Sequence, residues 1–267
     1  MAFEQKTAVL PVGEVTYHVA GDGAPLLYLH GGGGVVMTEP LTRLAESRRV
    51  YIPVTPGFEG TSALDGVANV QDLAGLWAAF VDTVMDEDKT DVMGFSFGGL
   101  VAAWMAAKHP DKVDQLVLAA PGGFTPAGAT KLSDDPKKRL AQMYRHPENL
   151  PDGVAPADRL ARSREAMARY RPNFDCDEDL VARLGDIEAL TLVLLGTEDG
   201  VTPAEVGHLL RREMQHVHFV YVYDAAHALE IDQPDRVGLI LRDFLERGEG
   251  FLVNWGGEPA EAAPATR

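Results

Sequence analysis

The chain of 267 residues has one cysteine, Cys176, so no disulfide and no thiolate metal cluster can be assembled within it. That usage fits a reducing compartment. Cationic side chains are also scarce: 24 Lys and Arg stand against 40 Asp and Glu, and the formal net charge of −16 repels phosphate backbones and anionic membrane surfaces. Neither nucleic acid nor membrane is expected as a partner. No apolar run reaches membrane-spanning length, and Met1-Ala2-Phe3-Glu4-Gln5-Lys6 lacks the basic start and apolar core of a signal peptide. The expectation is a soluble, cytoplasmic protein that meets a small-molecule partner. Internal repeats are absent as well.

What is present is an alternation of two periodicities. Residues 7–20 alternate apolar and polar around Gly13, the pattern of two antiparallel edge strands joined by a tight turn. Pro25-Leu26-Leu27-Tyr28-Leu29-His30 is continuously apolar until it meets four glycines, as a central strand covered on both faces should be. Val50–Val54, Asp91–Met93, Gln115–Ala120, Ala189–Leu195 and Val217–Tyr223 read as further strands. Helical spacing is expected at 39–46, at 70–85 with Asn69 or Asp72 as N-cap, after residue 99, from a Thr202 cap to about Met214, and at 234–247. Such alternation implies an α/β fold with a mostly parallel, doubly covered sheet.

Between Pro121 and Asp186 the rhythm breaks. Prolines cluster, charge rises, and helical patches at about 134–146 and 156–171 carry Met143, Tyr144, Met167 and Tyr170. We read 124–186 as an inserted helical lid, 1–123 and 187–255 as the core, and 256–267, rich in Ala, Pro and Glu, as a flexible tail. Phe251-Leu252-Val253-Asn254-Trp255 is too apolar for a free tail and should dock on the body or on a neighbouring subunit, so a homodimer stays open. The lid arginines 139, 145, 159, 162, 164, 169 and 171 read as a solvated face, with pairing to a substrate carboxylate as the alternative. Cys176 reads as a packing residue.

The chemistry centres on Gly94-Phe95-Ser96-Phe97-Gly98-Gly99, where a strand-like run gives way to a helical one. A sharp strand-to-helix turn strains the serine and needs small neighbours two residues either side, here Gly94 and Gly98. A serine hydroxyl needs a base titrating near working pH and a carboxylate to hold that base. His227, after the last strand, and Asp199, after the strand before it, fill these positions at strand ends where open parallel sheets place their sites. Glu198 is the substitute acid, and Asp224 is close to His227 in sequence. The strand before the lid ends in Ala120-Pro121 and offers no acid. The other histidines, 18, 109, 146, 208, 216 and 218, fall in an edge hairpin, before a proline, in the lid, in a helix and at the wrong end of the last strand. For the oxyanion, Gly32, Gly33 and the Phe97 amide are candidate donors, with His30 bracing the loop. No Gly-Lys-Ser/Thr follows the four glycines, so a phosphate loop is disfavoured. Gly31, Phe95, Phe124, Met143, Tyr144, Met167 and Val201 complete the candidate substrate-binding set.

Taken with Pro56-Gly57-Phe58-Glu59-Gly60-Thr61-Ser62 and the Asp232-Gln233-Pro234 that follows His227, these motifs make the chain resemble the α/β-hydrolase family, in its compact lid-bearing branch, over nearly its whole length. The resemblance implies about eight strands with one antiparallel member near an edge, and a triad used without metal or cofactor. It implies a serine hydrolase that cleaves an ester or related acyl bond of a small, largely apolar substrate. Ser at 96, not Asp, disfavours the family's epoxide hydrolases and haloalkane dehalogenases. Carbon–carbon hydrolysis of a vinylogous diketone ranks second, because Ala228 stands where those relatives often have Trp. Peracid formation of the haloperoxidase type is a third reading, and a non-catalytic ligand receptor on the same fold is the alternative of a different class.

Overall fold

The computed structural model describes residues 2–126, 129, 132–151, 163, 165–170 and 176–251. Eight strands form one sheet in the order β1-β2-β4-β3-β5-β6-β7-β8. These are β1 (Glu4–Leu10), β2 (Gly13–Ala20), β3 (Ala24–Leu29), β4 (Arg48–Pro53), β5 (Thr90–Phe95), β6 (Val113–Ala119), β7 (Leu190–Gly196) and β8 (Val217–Val222). Every neighbouring pair from β4 to β8 is parallel, whereas β2 runs antiparallel to both β1 and β4. A single antiparallel strand thus lies next to one edge. The continuously apolar segments became the central strands: Leu26, Leu27, Val92, Met93, Leu116, Val117, Leu192 and Val193 are fully buried.

The chain leaves β3 for β4 on one side and returns to β5 on the other, so the strand order switches at β3, where Leu29 pairs with Gly94. Helices cover the sheet: α1 (Glu39–Leu44), α2 (Val70–Phe80), α3 (Phe97–Lys108), α4 (Pro136–Met143), the helical residues 165–170 (α5), α6 (Glu178–Val181), α7 (Ala204–Glu213), α8 (Leu229–Asp232) and α9 (Pro234–Arg247). Helix α3 is apolar all round and buried from Phe97 to Ala107, as expected of a helix packed between the sheet and other elements. Among the described residues no helix is long and apolar enough to cross a membrane.

Several starts and ends differ from the sequence reading. Asn69 caps α2, accepting from Asp72 N, but α2 stops at Phe80 and residues 81–85 form a wider π turn closed by left-handed Asp86. Thr202 is not a cap: α7 starts at Ala204 after Pro203, with no side-chain cap, because the Thr202 hydroxyl points inward to the Ala120 carbonyl, 3.3 Å away. In the segment between β6 and β7, the expected patch at 134–146 is the shorter α4, capped by Asp135. Of the patch at 156–171, only Ser163 and 165–170 are described, so arginines 159, 162, 164 and 171 lie outside the described residues. Residues 252–267, and with them the tail reading, lie outside them too. Phe251 packs edge-on to Phe244 at 5.3 Å and to His218 at 5.4 Å.

Candidate active site

Ser96 lies between the last residue of β5 and the first of α3, with φ 51° and ψ −112°. Such a conformation costs a non-glycine residue about 1–3 kcal/mol and persists only where its surroundings impose it. Here Ser96 N donates to Ala119 O at 2.9 Å, and Ser96 O accepts from Gly122 N at 2.9 Å and Leu100 N at 3.2 Å. A Cβ at Gly94 would overlap the Gly98 backbone, and one at Gly98 would overlap the carbonyl of Leu29. The pattern of two glycines therefore lets α3 turn back directly over the end of β3, leaving Ser96 half-buried at the turn.

His227, in the loop after β8, places Nε2 2.9 Å from Ser96 Oγ and Nδ1 3.1 Å from Asp199 Oδ2. A carboxylate only accepts, so this pairing assigns the proton to Nδ1 and leaves Nε2 to accept from the serine hydroxyl. Both side chains are almost fully buried, at 2% and 1% exposure, which strengthens the pairing relative to water. The second oxygen of Asp199 accepts from Val201 N and Thr202 N, each at 2.8 Å, which fixes the carboxylate in place. Thr202 Oγ1 lies 3.5 Å from Nδ1. The competing acids face elsewhere: Glu198 and Asp224 pair with Arg145 at 3.4 and 3.0 Å, and Asp224 also accepts from His146 at 2.8 Å. That hydrogen bond raises the His146 pKa, with Glu148 adding to it, and lowers that of Asp224.

The glycine loop after β3 stands beside the serine because β3 neighbours β5. His30 braces it: Nδ1 donates to Gly31 O at 2.8 Å and Nε2 accepts from Thr55 N at 3.0 Å. Phe97 N–H is the first amide of α3, one of the donors a helix leaves unpaired at its positive end. Phe95 packs on Gly31, and its ring lies 5.3 Å from that of His227. From α5, the Met167 sulfur sits against Gly32, while Tyr170 donates to Pro56 O at 2.8 Å. A row of rings, His30, Phe58, Phe97 and Tyr170, leads from the glycine loop to α5 at centroid spacings of 5.0, 6.1 and 6.4 Å. Arg169 is anchored on the carbonyls of Leu64 and Val67 and Arg139 on that of Ser133. Phe124 is fully buried, and Val201 is half-buried in the Asp199 loop. Met143 and Tyr144 are half-buried at the end of α4, where Met143 O accepts from Ala228 N at 2.8 Å.

The sequence marks Thr202 only as a helix cap and Asp232 only as part of the Asp232-Gln233-Pro234 motif; it assigns no place beside the site to either, nor to the Tyr28–Glu230 pair. Glu230 and Tyr28 are both buried, with Tyr28 donating to Glu230 Oε2 at 2.9 Å, and burial pushes the Glu230 carboxyl up to about 7. Among the described residues no cluster of three or more His, Cys, Asp or Glu could hold a metal ion.

The family model described as "Alpha/beta hydrolase family" matches residues 26–238. The chain belongs to the alpha/beta hydrolase family. This alpha/beta hydrolase is 26% identical over 271 residues to the 2-hydroxymuconate semialdehyde hydrolase of Pseudomonas putida, covering 88% of this chain and 91% of that one. It is 28% identical over 250 residues to the pimeloyl-[acyl-carrier protein] methyl ester esterase of Neisseria meningitidis, covering 84% and 78%. Its fold is shared with naproxen esterase (carboxylesterase NP) from Bacillus subtilis, at a TM-score of 0.74 and 20% identity, over 91% of this chain and 92% of that one. The relatives are hydrolases, esterases among them.

Proposed function

We propose that this alpha/beta hydrolase cleaves an ester, or a related acyl bond, of a small and largely apolar substrate through an acyl-enzyme on Ser96. The observation that carries the reading is the single imidazole bridging Ser96 Oγ at 2.9 Å and Asp199 at 3.1 Å. As Ser96 Oγ attacks the carbonyl carbon, its proton passes to His227 Nε2, and Asp199 stabilises the imidazolium. Charge then develops on the carbonyl oxygen, where the Phe97 amide and the backbone of Gly32 and Gly33 are the donors we assign. Collapse expels the alkoxide, which leaves as an alcohol with the Nε2 proton. Water, deprotonated by His227, attacks the ester on Ser96, and the acid departs as Ser96 regains its proton. Neither half-reaction calls for a metal or an organic cofactor.

The residues between β6 and β7 act in this reading as the lid that excludes water, with Met143, Tyr144, Phe124, Met167 and Val201 shaping the apolar chamber. The second reading, hydrolysis of a carbon–carbon bond in a vinylogous diketone, is supported by the Pseudomonas putida relative. It ranks lower because Ala228, not Trp, follows His227. Parallel assays separate them: release of nitrophenol from short-chain esters supports the first, and loss of the visible absorbance of a ring-fission product without ester turnover supports the second. Turnover of neither, under conditions where the protein is folded, overturns both.

A further inference from the structure

The loop that carries His227 is tied to the segment after α4 by one buried carboxylate. Asp232, at the end of α8, is 3% exposed. Its Oδ2 accepts from Ala226 N at 2.7 Å, the amide next to His227, and from Arg145 N at 3.0 Å. Its Oδ1 accepts from Arg145 N at 3.0 Å and His146 N at 2.8 Å. Further hydrogen bonds follow the same seam: Ala228 N to Met143 O, and the Arg145 and His146 side chains to Asp224. The residues on either side of His227, Ala226 and Ala228, are thus both pinned to the stretch Met143–His146 at the end of α4.

We propose that Asp232 is a positioning residue for the reaction, holding the height of His227 over Ser96 by locking the histidine loop to the first part of the lid. The proposal rests on the reading of Ser96 and His227 as nucleophile and base. Its physical core is that three amides on two separate segments demand both carboxylate oxygens. An isosteric amide at 232 has one acceptor, so whichever way it turns, an N–H meets an N–H. The loop or the lid segment must then shift, and a small displacement between base and nucleophile is worth up to about 100-fold in rate.

The test is the rate at which a nitrophenyl alkylphosphonate labels Ser96, read by intact mass, in the wild type and in Asp232→Asn, both shown folded by circular dichroism. This rate reads the Ser96–His227 geometry without requiring ester turnover. Loss of stability alone would leave the labelling rate of the folded molecules unchanged. The expected result is a full single adduct in both proteins, formed about tenfold or more slowly in the variant. A variant rate within about twofold of the wild type would overturn the proposal. An unlabelled wild type would instead sink the acyl-enzyme reading itself. Should Asp232→Asn not fold, Asp232→Glu carries the test: its longer arm displaces both oxygens, so slowed labelling with faster proteolysis around residues 143–146 supports the lock. Wild-type behaviour in both measurements refutes it.

Discussion

Replacing Glu230 with Gln should stabilise this hydrolase, and only above a definite pH. Glu230 is 3% exposed, its Oε2 accepts from Tyr28, and its Oε1 has no hydrogen-bond partner among the described residues. Burial raises its pKa from 4.5 to about 7, the Tyr28 hydrogen bond opposing the shift. A carboxyl whose folded pKa lies above its unfolded one adds stability that is complete below the unfolded value and is lost as pH rises through the folded value. The loss therefore falls between pH 4.5 and about 7. At 1.36 kcal/mol per unit it amounts to about 3 kcal/mol by pH 8. Gln stays neutral and keeps an acceptor for Tyr28, and its amide N–H occupies the place of the protonated acid's O–H, so the two proteins should be equally stable near pH 4, below the unfolded value. Denaturant unfolding near pH 8 should show Glu230→Gln more stable by about 3 kcal/mol, or by about 5 °C in Tm for a chain of this length. Equal stability near pH 8, or a difference already complete near pH 5, would refute the reasoning.

Other perturbations follow from the same geometry. Thr202→Val keeps the side chain's shape but removes the hydroxyl beside His227, and should lower kcat about fivefold with KM unchanged; unchanged kcat would remove Thr202 from the account. Gly98→Ala drives a methyl into the Leu29 carbonyl and should cost about 3 kcal/mol or more, read as lost soluble yield or lowered Tm. Arg48 and Asp91 form a 2.7 Å ion pair with both side chains 8% exposed, and burial outweighs the arginine in raising the Asp91 pKa. Arg48→Ala should therefore cost about 3–5 kcal/mol, part of which a second change, Asp91→Asn, recovers.

Much of the candidate site's geometry was legible in the chain because it follows from local patterns. Gly94-Phe95-Ser96-Phe97-Gly98 announces a turn whose sterics only small neighbours permit, and continuous apolar runs announce central strands. Asp199 and His227 could be assigned because each follows a strand of the parallel set, Asp199 the buried β7 and His227 the half-buried edge strand β8, and parallel strands bring such loops to one rim. What stayed hidden depends on meetings between distant segments. Asp232 touches Arg145 across 87 residues, and nothing near Asp232 in sequence marks that contact. Thr202-Pro203 carries a strong local signal for a helix cap, yet tertiary contacts with Ala120 and His227 claim the hydroxyl and push the helix start to Ala204. Glu230 is a charged residue in a short polar-looking helix, and only the packing of α8 over β3 buries it against Tyr28.

The most direct test of the account is to mix the protein with excess nitrophenyl ester, follow the first turnover by stopped flow, and quench for intact mass and peptide mapping. The expected result is a burst of one nitrophenol per chain with the acyl group on Ser96, and neither burst nor adduct in Ser96→Ala or His227→Ala. An acyl group mapped to any other residue, or undiminished turnover in Ser96→Ala, would contradict it.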